Sequence, residues 1–410
     1  MYRDTRFIVK KVNYISFFLL IGIASLTVFS DPIAKGKQKF LGNIIASNPP
    51  ADFSNYWNQV SPENSGKWAN VERIRDTMSW ETLKKAYDFA KQNNYPFKQH
   101  TFVWGQQEPE WIKNVTPEEQ KEELEEFIRL FGEKFPDADF ADVVNEPINT
   151  PASYREALGG AGTSGWDWVV WTFEKARKYL PKTKLLLNEW GVINDDAMTE
   201  KYLQIINILK EKNLIDAIGE QSHCFSFQND DPQKDLDPQV LKRNLDKLAA
   251  TGLPIYITEL DLQGNDSIQL QRYQRFFPVL WEHPAVKGVT LWGYRFNRTW
   301  IETTWLQDTT NADRPALKWL RSYVTSSKII TKKNNDRNKA ASPVCIKNNQ
   351  IEFTGNEPVL LELFSLNGEK ISSTTIRSSL PLSYFNLSGG CYIIRANCIH
   401  LSKIKITNTP

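Results

Sequence analysis

Two apolar runs in this chain end abruptly in carboxylates. In the first, Phe140-Ala-Asp-Val-Val144 gives way to Asn145, Glu146 and Pro147. In the second, Ile255-Tyr-Ile-Thr258 gives way to Glu259, Leu260 and Asp261. Short apolar runs of this kind suit strands of a parallel sheet covered on both faces. Pro147 has no amide hydrogen to donate, so the first strand should stop there. Glu146 and Glu259 then stand at the carboxyl ends of strands, where parallel α/β folds place their chemistry. Alone, Glu146 is equally well a surface carboxylate at the start of a loop. Opposed across a cleft, two carboxyls can divide a hydrolysis between them. One protonates a leaving oxygen, and the other attacks an anomeric carbon or activates water, as glycoside hydrolysis requires. The acid has to hold a proton near neutral pH and the nucleophile has to stay ionised, so their surroundings must differ.

Positioning two such groups needs a scaffold whose strand ends converge. Strands are expected at Lys39–Ile45, Phe53–Val60, Phe97–Val103, Phe140–Asn145, Lys184–Asn188, Ile215–Ser222, Pro254–Glu259 and Gly288–Trp292, with helical patterns over Thr163–Leu180, Asp195–Lys212, Pro238–Ala250 and Ile268–Glu282 between them. Thr116-Pro-Glu-Glu119 reads as a capping box with proline at the first helical position, ahead of Leu124, Phe127, Ile128 and Phe131 at helical spacing. Eight strands with intervening helices point to an α/β fold, a (β/α)8 TIM barrel over residues 31–326. A doubly wound open sheet is the alternative, weakened because no glycine-rich phosphate loop follows the first strand. In a barrel, strands four and seven face each other across one mouth, which brings Glu146 and Glu259 to a common ligand.

Residues 327–343 are polar and aperiodic and read as a linker. Residues 344–410 read as a small all-β C-terminal domain, β-sandwich-like, with strand candidates at Ile351–Phe353, Val359–Phe364, Cys391–Ala396 and Ile404–Ile406. Turn signals stand at Leu366-Asn-Gly368 and Ser388-Gly-Gly390. At the other end, residues 1–30 combine a basic start (Arg3, Arg6, Lys10, Lys11) with an apolar run from Ile15 to Phe29, the pattern of a secretory signal peptide. Left uncleaved, the same run would serve as a membrane anchor. Its removal takes the formal charge from +2 to −1, because it carries four basic residues and Asp4. A chain so near neutrality offers no basic patch for nucleic acid, and no later apolar run is long enough to span a bilayer. Of Cys224, Cys345, Cys391 and Cys398, none forms a C-x-x-C pair, so zinc ligation is not expected; export would allow a disulfide among the last three, with the pairing open. Neither a metal nor a cofactor is expected.

What surrounds the two glutamates narrows the chemistry. Strand two is followed by Ser61-Pro-Glu-Asn-Ser-Gly-Lys-Trp68, and strand three runs through His100-Thr-Phe-Val-Trp-Gly-Gln-Gln107. Strand five ends in Asn188-Glu-Trp190, strand six in Gln221-Ser-His223 and strand eight in Trp292-Gly293, with Trp300 farther on. Hydrogen-bonding and aromatic groups thus gather at one end of nearly every strand, a mixture suited to hydroxyl-rich ligands with apolar ring faces.

This set resembles glycoside hydrolase family 10, the xylanase family, over roughly residues 35–325. The motifs are Pro-Glu-Asn-x-x-Lys-Trp at 62–68, His-Thr-x-x-Trp at 100–104, Val-Val-Asn-Glu at 143–146, Gln-x-His at 221–223, Ile-Thr-Glu-Leu-Asp at 257–261 and Trp-Gly at 292–293. The resemblance implies a secreted or cell-surface, monomeric, retaining endo-β-1,4-xylanase acting on xylan or xylo-oligosaccharides. A related endo-β-glucanase and a non-catalytic polysaccharide-binding barrel stay open as alternatives. Glu146 would be the acid/base and Glu259 the nucleophile. His223 would partner Glu259, with Asp261 orienting His223, and Asn145 and Gln221 would touch the sugar at the cleaved bond. Glu63, Asn64, Lys67, His100, Trp104 and Gln107 would hold sugar hydroxyls, and Trp292 and Trp300 would wall the pocket. Trp68, Trp111, Trp166 and Trp168 are left to packing or the rim. The sequence departs from the family in three places: Gly105 stands where a histidine usually follows the tryptophan, Phe296 replaces a common aspartate, and Asn188-Glu-Trp-Gly191 replaces Asn-Asp-Tyr-Asn. The tail resembles the C-terminal sorting domains of type IX secretion cargo, through Leu363-Phe-Ser-Leu-Asn-Gly368, Leu387-Ser-Gly-Gly-Cys-Tyr-Ile-Ile394 and Lys403-Ile-Lys-Ile406, which implies secretion machinery as a partner. A carbohydrate-binding module is the rival reading.

Overall fold

A computed structural model describes residues 31–326 and, farther along, 344–347, 350–353, 359–365, 370–381, 385, 390–396 and 399–406. The expected signal segment, the linker, Cys398 and most of both tail turns lie outside the described residues. The chain divides into two compact units, with the boundary between Ile329 and Ile330.

In the first unit, β1 (Phe40–Ile45), β2 (Val60–Pro62), β3 (Lys98–Val103), β4 (Phe140–Asn145), β5 (Lys184–Glu189), β6 (Ala217–Glu220), β7 (Ile255–Leu260) and β8 (Val286–Leu291) form one parallel sheet in the order β2-β1-β8-β7-β6-β5-β4-β3. Val60 bridges to Phe97 in parallel, and its amide donates to Pro96 O at 3.0 Å, so β2 meets β3 and the sheet closes as a barrel. Outside it lie α1 (Trp68–Val71), α2 (Glu81–Gln92), α3 (Pro117–Lys134), α4 (Asp167–Tyr179), α5 (Asp196–Glu211), α6 (Pro238–Ala249), α7 (Asp266–Glu282) and α8 (Pro315–Ser326). The capping box at Thr116 and Glu119 is formed, with reciprocal bonds of 3.2 and 2.9 Å. These helices cover the strands, whose apolar residues are nearly all buried, as both-face burial requires.

The expected second strand is displaced. Phe53–Asn55 is a turn of 3-10 helix, and the strand is confined to Val60–Pro62. Phe53, Tyr56 and Trp57 follow helical spacing, not alternation. Trp57 N bonds Phe53 O at 2.9 Å, and both of those rings are fully buried. The connection from β1 to β2 is therefore a 3-10 turn where the other connections carry α-helices.

Inside the barrel, the chemistry changes along the strands. At their amino ends, Phe40 stacks on Tyr256 with centroids 5.7 Å apart, and Phe140 approaches Tyr256 at 4.8 Å. A side chain at Gly288 would meet the Phe40 ring within 2.5 Å, so glycine is required beside this floor. Farther up, the interior turns polar with Asp142, Asn188 and Thr258. Register shifts at His100/Val103, Asp142/Val144 and Ile257/Leu260 interrupt the ladders there, the kind of irregularity that re-aims side chains near sites.

The second unit is all antiparallel. β9 (Val344–Lys347), β10 (Gln350–Phe353) and β13 (Leu380–Pro381) make one sheet, in the order β13-β10-β9. β11 (Val359–Ser365), β12 (Lys370–Ile376), β14 (Gly390–Ala396) and β15 (Ile399–Ile406) make the other, in the order β12-β11-β14-β15. β11 buries Leu361 and Leu363 and leaves Leu360 partly exposed, the alternation of a strand covered on one face. β9, β12 and β13 were not among the sequence expectations: the Ser-Ser-Thr-Thr core of β12 carries no apolar alternation to reveal it.

Candidate active site

Glu146 follows the last residue of β4 and adopts φ +54°, the left-handed region that non-glycine residues rarely occupy. Two backbone bonds hold it there: Glu146 N to Asn188 O and Thr150 N to Glu146 O, each 2.8 Å. Its carboxyl is buried. Oε1 accepts from Gln221 Nε2 at 3.1 Å and Asn145 Nδ2 at 3.2 Å, and Oε2 accepts from the Thr150 hydroxyl at 2.7 Å. All three partners are neutral.

Glu259, also buried, has charged company. Its Oε2 lies 3.3 Å from His223 Nε2, while Oε1 accepts from Asn188 Nδ2 at 2.7 Å and lies 3.9 Å from His100 Nδ1. Burial pushes this carboxyl up, but the charge of His100, the hydrogen bond and charge of His223 and the nearby Lys98 outweigh it, holding Glu259 well below the usual carboxylate range. His100 is itself lowered by burial, so the His223 imidazolium is the partner that acts near neutral pH.

His223 is held on both sides. Nδ1 lies 2.9 Å from Asp261 Oδ2, whose carboxylate also accepts from Cys224 N at 2.8 Å and Trp300 Nε1 at 2.8 Å. Burial would lower His223, but Asp261 and Glu259 raise it to about 10. A histidine raised this way stabilises the fold fully below its ordinary pKa of about 6.5, and that contribution is lost as pH climbs through about 10. The thermal midpoint of wild type should therefore exceed that of His223→Gln most at pH 6, with the gap narrowing steadily towards pH 10. A gap independent of pH in melting curves would show that His223 is not the charged partner.

The other expected site residues fall around this pair. His100 Nδ1 lies 2.9 Å from Asp142 Oδ2, which also takes the buried Lys98 ammonium, and Trp292 stands edge-on to His100 with centroids 5.1 Å apart. Lys67 donates to Asn64 Oδ1 at 2.9 Å and lies 4.7 Å from the centre of the Trp104 ring. Burial lowers its ammonium, while Glu259, Glu63 and Glu146 act to raise it, which places Lys67 in the field of both central glutamates. Burial raises Glu63. Gln107 is exposed, with φ +49°, and borders the same recess as Lys67 and Trp104. Trp300 is half-exposed, with its ring 4.7 Å from His223. Beside it, Phe225 lies 6.1 Å from Trp300 and 5.2 Å from Trp190, forming an aromatic shelf over the His223 side of the mouth. Trp68 and Trp168 are buried in packing.

Asn188, Thr150 and Phe225 were not singled out as site residues. Asn188 Nδ2 bridges Asn145 Oδ1 and Glu259 Oε1, each at 2.7 Å, and its Oδ1 accepts from Thr258. Its signal in the sequence was alternation: counting by twos from inward-facing Leu186 reaches Asn188. Thr150 lies in a loop without periodicity, and no local pattern marks it. Replacing the family aspartate, Phe296 packs on Trp305 at 4.7 Å, away from both glutamates' hydrogen bonds. Glu189, from the altered fifth-strand motif, accepts from Ile148 N, Trp190 N and Asn149 Nδ2, each at 2.9 Å, and is raised to about 7 by burial. It anchors the segment after Glu146 and faces no described cation.

A barrel with paired carboxylates at the ends of β4 and β7 is the framework of a glycoside hydrolase, and comparison with known proteins specifies which kind. Residues 33–323 match the family model for glycosyl hydrolase family 10, and the chain belongs to that family. "Endo-1,4-beta-xylanase B" of Cellvibrio japonicus (strain Ueda107) is 39% identical over 289 residues, covering 69% of this chain and 45% of that protein. The chain thus spans less than half of that relative. "Endo-1,4-beta-xylanase B" of Thermotoga neapolitana is 28% identical over 257 residues, covering 60% of this chain and 72% of that one. Among solved structures, native xylanase 10B from Thermotoga maritima superposes with a TM-score of 0.61 at 25% identity, covering 72% of this chain and 96% of its own. Xylanase 10B from Thermotoga petrophila RKU-1 in complex with xylobiose gives the same score and identity, over 72% of this chain and 95% of its own.

Proposed function

We propose that this protein is a secreted, retaining endo-β-1,4-xylanase that cleaves internal bonds of xylan by double displacement. The observation that carries the reading is the unequal setting of the two glutamates. Glu259 is held ionised by His223 and oriented by Asn188, as a nucleophile must be. Glu146 is held only by neutral donors, the setting of a group that alternates between acid and base. In the first step, Glu146 protonates the departing glycosidic oxygen while Glu259 attacks the anomeric carbon. In the second, Glu146 takes a proton from water, which attacks that carbon and frees Glu259. Asn145, fixed by Asn188, would bond the neighbouring 2-hydroxyl, and the aromatic shelf of Trp300, Phe225 and Trp190 would pack on sugar ring faces. The xylanase relatives favour xylan as substrate.

Incubating the purified protein with xylan, mixed-linkage β-glucan and cellulose, and resolving the products, tests this directly. A ladder of xylo-oligosaccharides released with β-configured reducing ends is the expected result. Inverted products, or turnover of glucans alone, would overturn it. The segment 1–30 and the β-rich tail are assigned to export and surface delivery. Removing residues 344–410 should leave the enzyme inside the cell envelope while xylan hydrolysis in lysates persists.

A further inference from the structure

We propose that Thr150 is a positioning residue for the acid/base carboxyl, and that Gly105 is glycine so that the segment bearing Thr150 can reach it. The proposal rests on the reading of Glu146 as acid/base. Its starting point is the departure at Gly105, which removes a side chain following Trp104 and with it a polar group near the site.

The space is filled by backbone. Gly105 N donates to Thr150 O at 3.0 Å, and a Cβ at Gly105 would lie 2.5 Å from Thr150 O and 2.4 Å from Pro151 O. No side chain fits there without displacing the segment. That segment returns on Glu146 through the bond from Thr150 N to Glu146 O and delivers the Thr150 hydroxyl to Oε2 at 2.7 Å.

The chemistry of the partner matters. Gln221 and Asn145 reach Oε1 through amide N–H groups, which only donate, so Oε1 is kept as an acceptor and the proton is directed to Oε2. A hydroxyl can both donate and accept. Thr150 therefore accepts from Oε2 in the resting acid, and rotates to donate to Oε2 once that proton turns to the glycosidic oxygen and leaves with it. It holds the plane of the carboxyl in both halves of the reaction, which an N–H group or an ammonium, able only to donate, could not do.

Thr150→Val keeps the shape and removes the hydroxyl; Thr150→Ser keeps the hydroxyl. With full-length protein, kcat/KM for xylan should fall about 10- to 100-fold in the valine variant, the range for a hydrogen bond to an ionisable group. For an aryl xylobioside with a good leaving group, which needs no proton, kcat/KM should stay within about twofold. Serine should restore most of the xylan activity, with melting temperatures close to wild type throughout. Gly105→Ala should reproduce the valine pattern by displacing Thr150. Equal losses on both substrates, xylan activity within twofold of wild type, or a serine variant no better than valine would each overturn the proposal. Glu146→Ala, assayed in parallel, separates the two levels. If it loses both substrates equally, the acid/base reading fails and this inference with it; if only the Thr150 pattern fails, that reading stands.

Discussion

Glu146→Ala is expected to lose hydrolysis of unactivated xylan by about 10²–10⁴-fold, the range general acid catalysis contributes. The xylose alkoxide is a poor leaving group and cannot depart without a proton. An aryl glycoside with a stabilised phenolate departs unaided, so kcat/KM for such a substrate should change little. Its turnover would then stall at the second step, which needs Glu146 as base. A small anion such as azide attacks without one and should restore that turnover. Alanine leaves the neutral donors Gln221, Asn145 and Thr150 facing a cavity but strands no charge, so the barrel should stay folded. Parallel kinetics on the two substrates decide the matter, and a uniform loss would remove Glu146 from the acid/base role.

Glu259→Ala should be more severe and indifferent to leaving group. Without the nucleophile no glycosyl-enzyme forms, so xylan and activated substrates should fail together, by more than the general-acid range. The substitution also removes the counter-charge of a buried imidazolium, leaving His223 with Asp261 alone. His223 should then titrate lower than in wild type, which NMR of the imidazole can follow across pH 6–10. Activity retained on aryl glycosides would refute Glu259 as nucleophile. Contrasting the two alanine variants is more informative than either alone, because only a divided pair produces one selective and one uniform loss.

Seven of the eight barrel strands were legible, most of them as short apolar runs between polar turns that carry their signal locally; β3, Lys-Gln-His-Thr-Phe-Val, is the polar exception. The second was misplaced because Phe53, Tyr56 and Trp57 look like strand residues by composition, while their spacing satisfies a helical turn packed into the core. The tail's first, fourth and fifth strands lacked apolar alternation or length, and pairing with neighbours defines them.

In the site, the two glutamates, Asn145, Gln221, His223 and Asp261 were readable because each sits at the end of a recognisable strand run. The pairing of His223 with Glu259 and Asp261 came from the family resemblance, not from the strand pattern. Glu259 meets His223 across 36 residues, Asn188 across 71, and Glu146 meets Gln221 across 75. By itself, the sequence determined that carboxylates, amides and indoles would gather at one mouth, since strand periodicity and chain direction place every strand end on the same side of a parallel barrel. Only the tertiary structure decided that Asn188 ties Asn145 to Glu259 and that Glu146 receives the amides and the Thr150 hydroxyl, because hydrogen bonds form between neighbours in space and the barrel's closure chooses those neighbours.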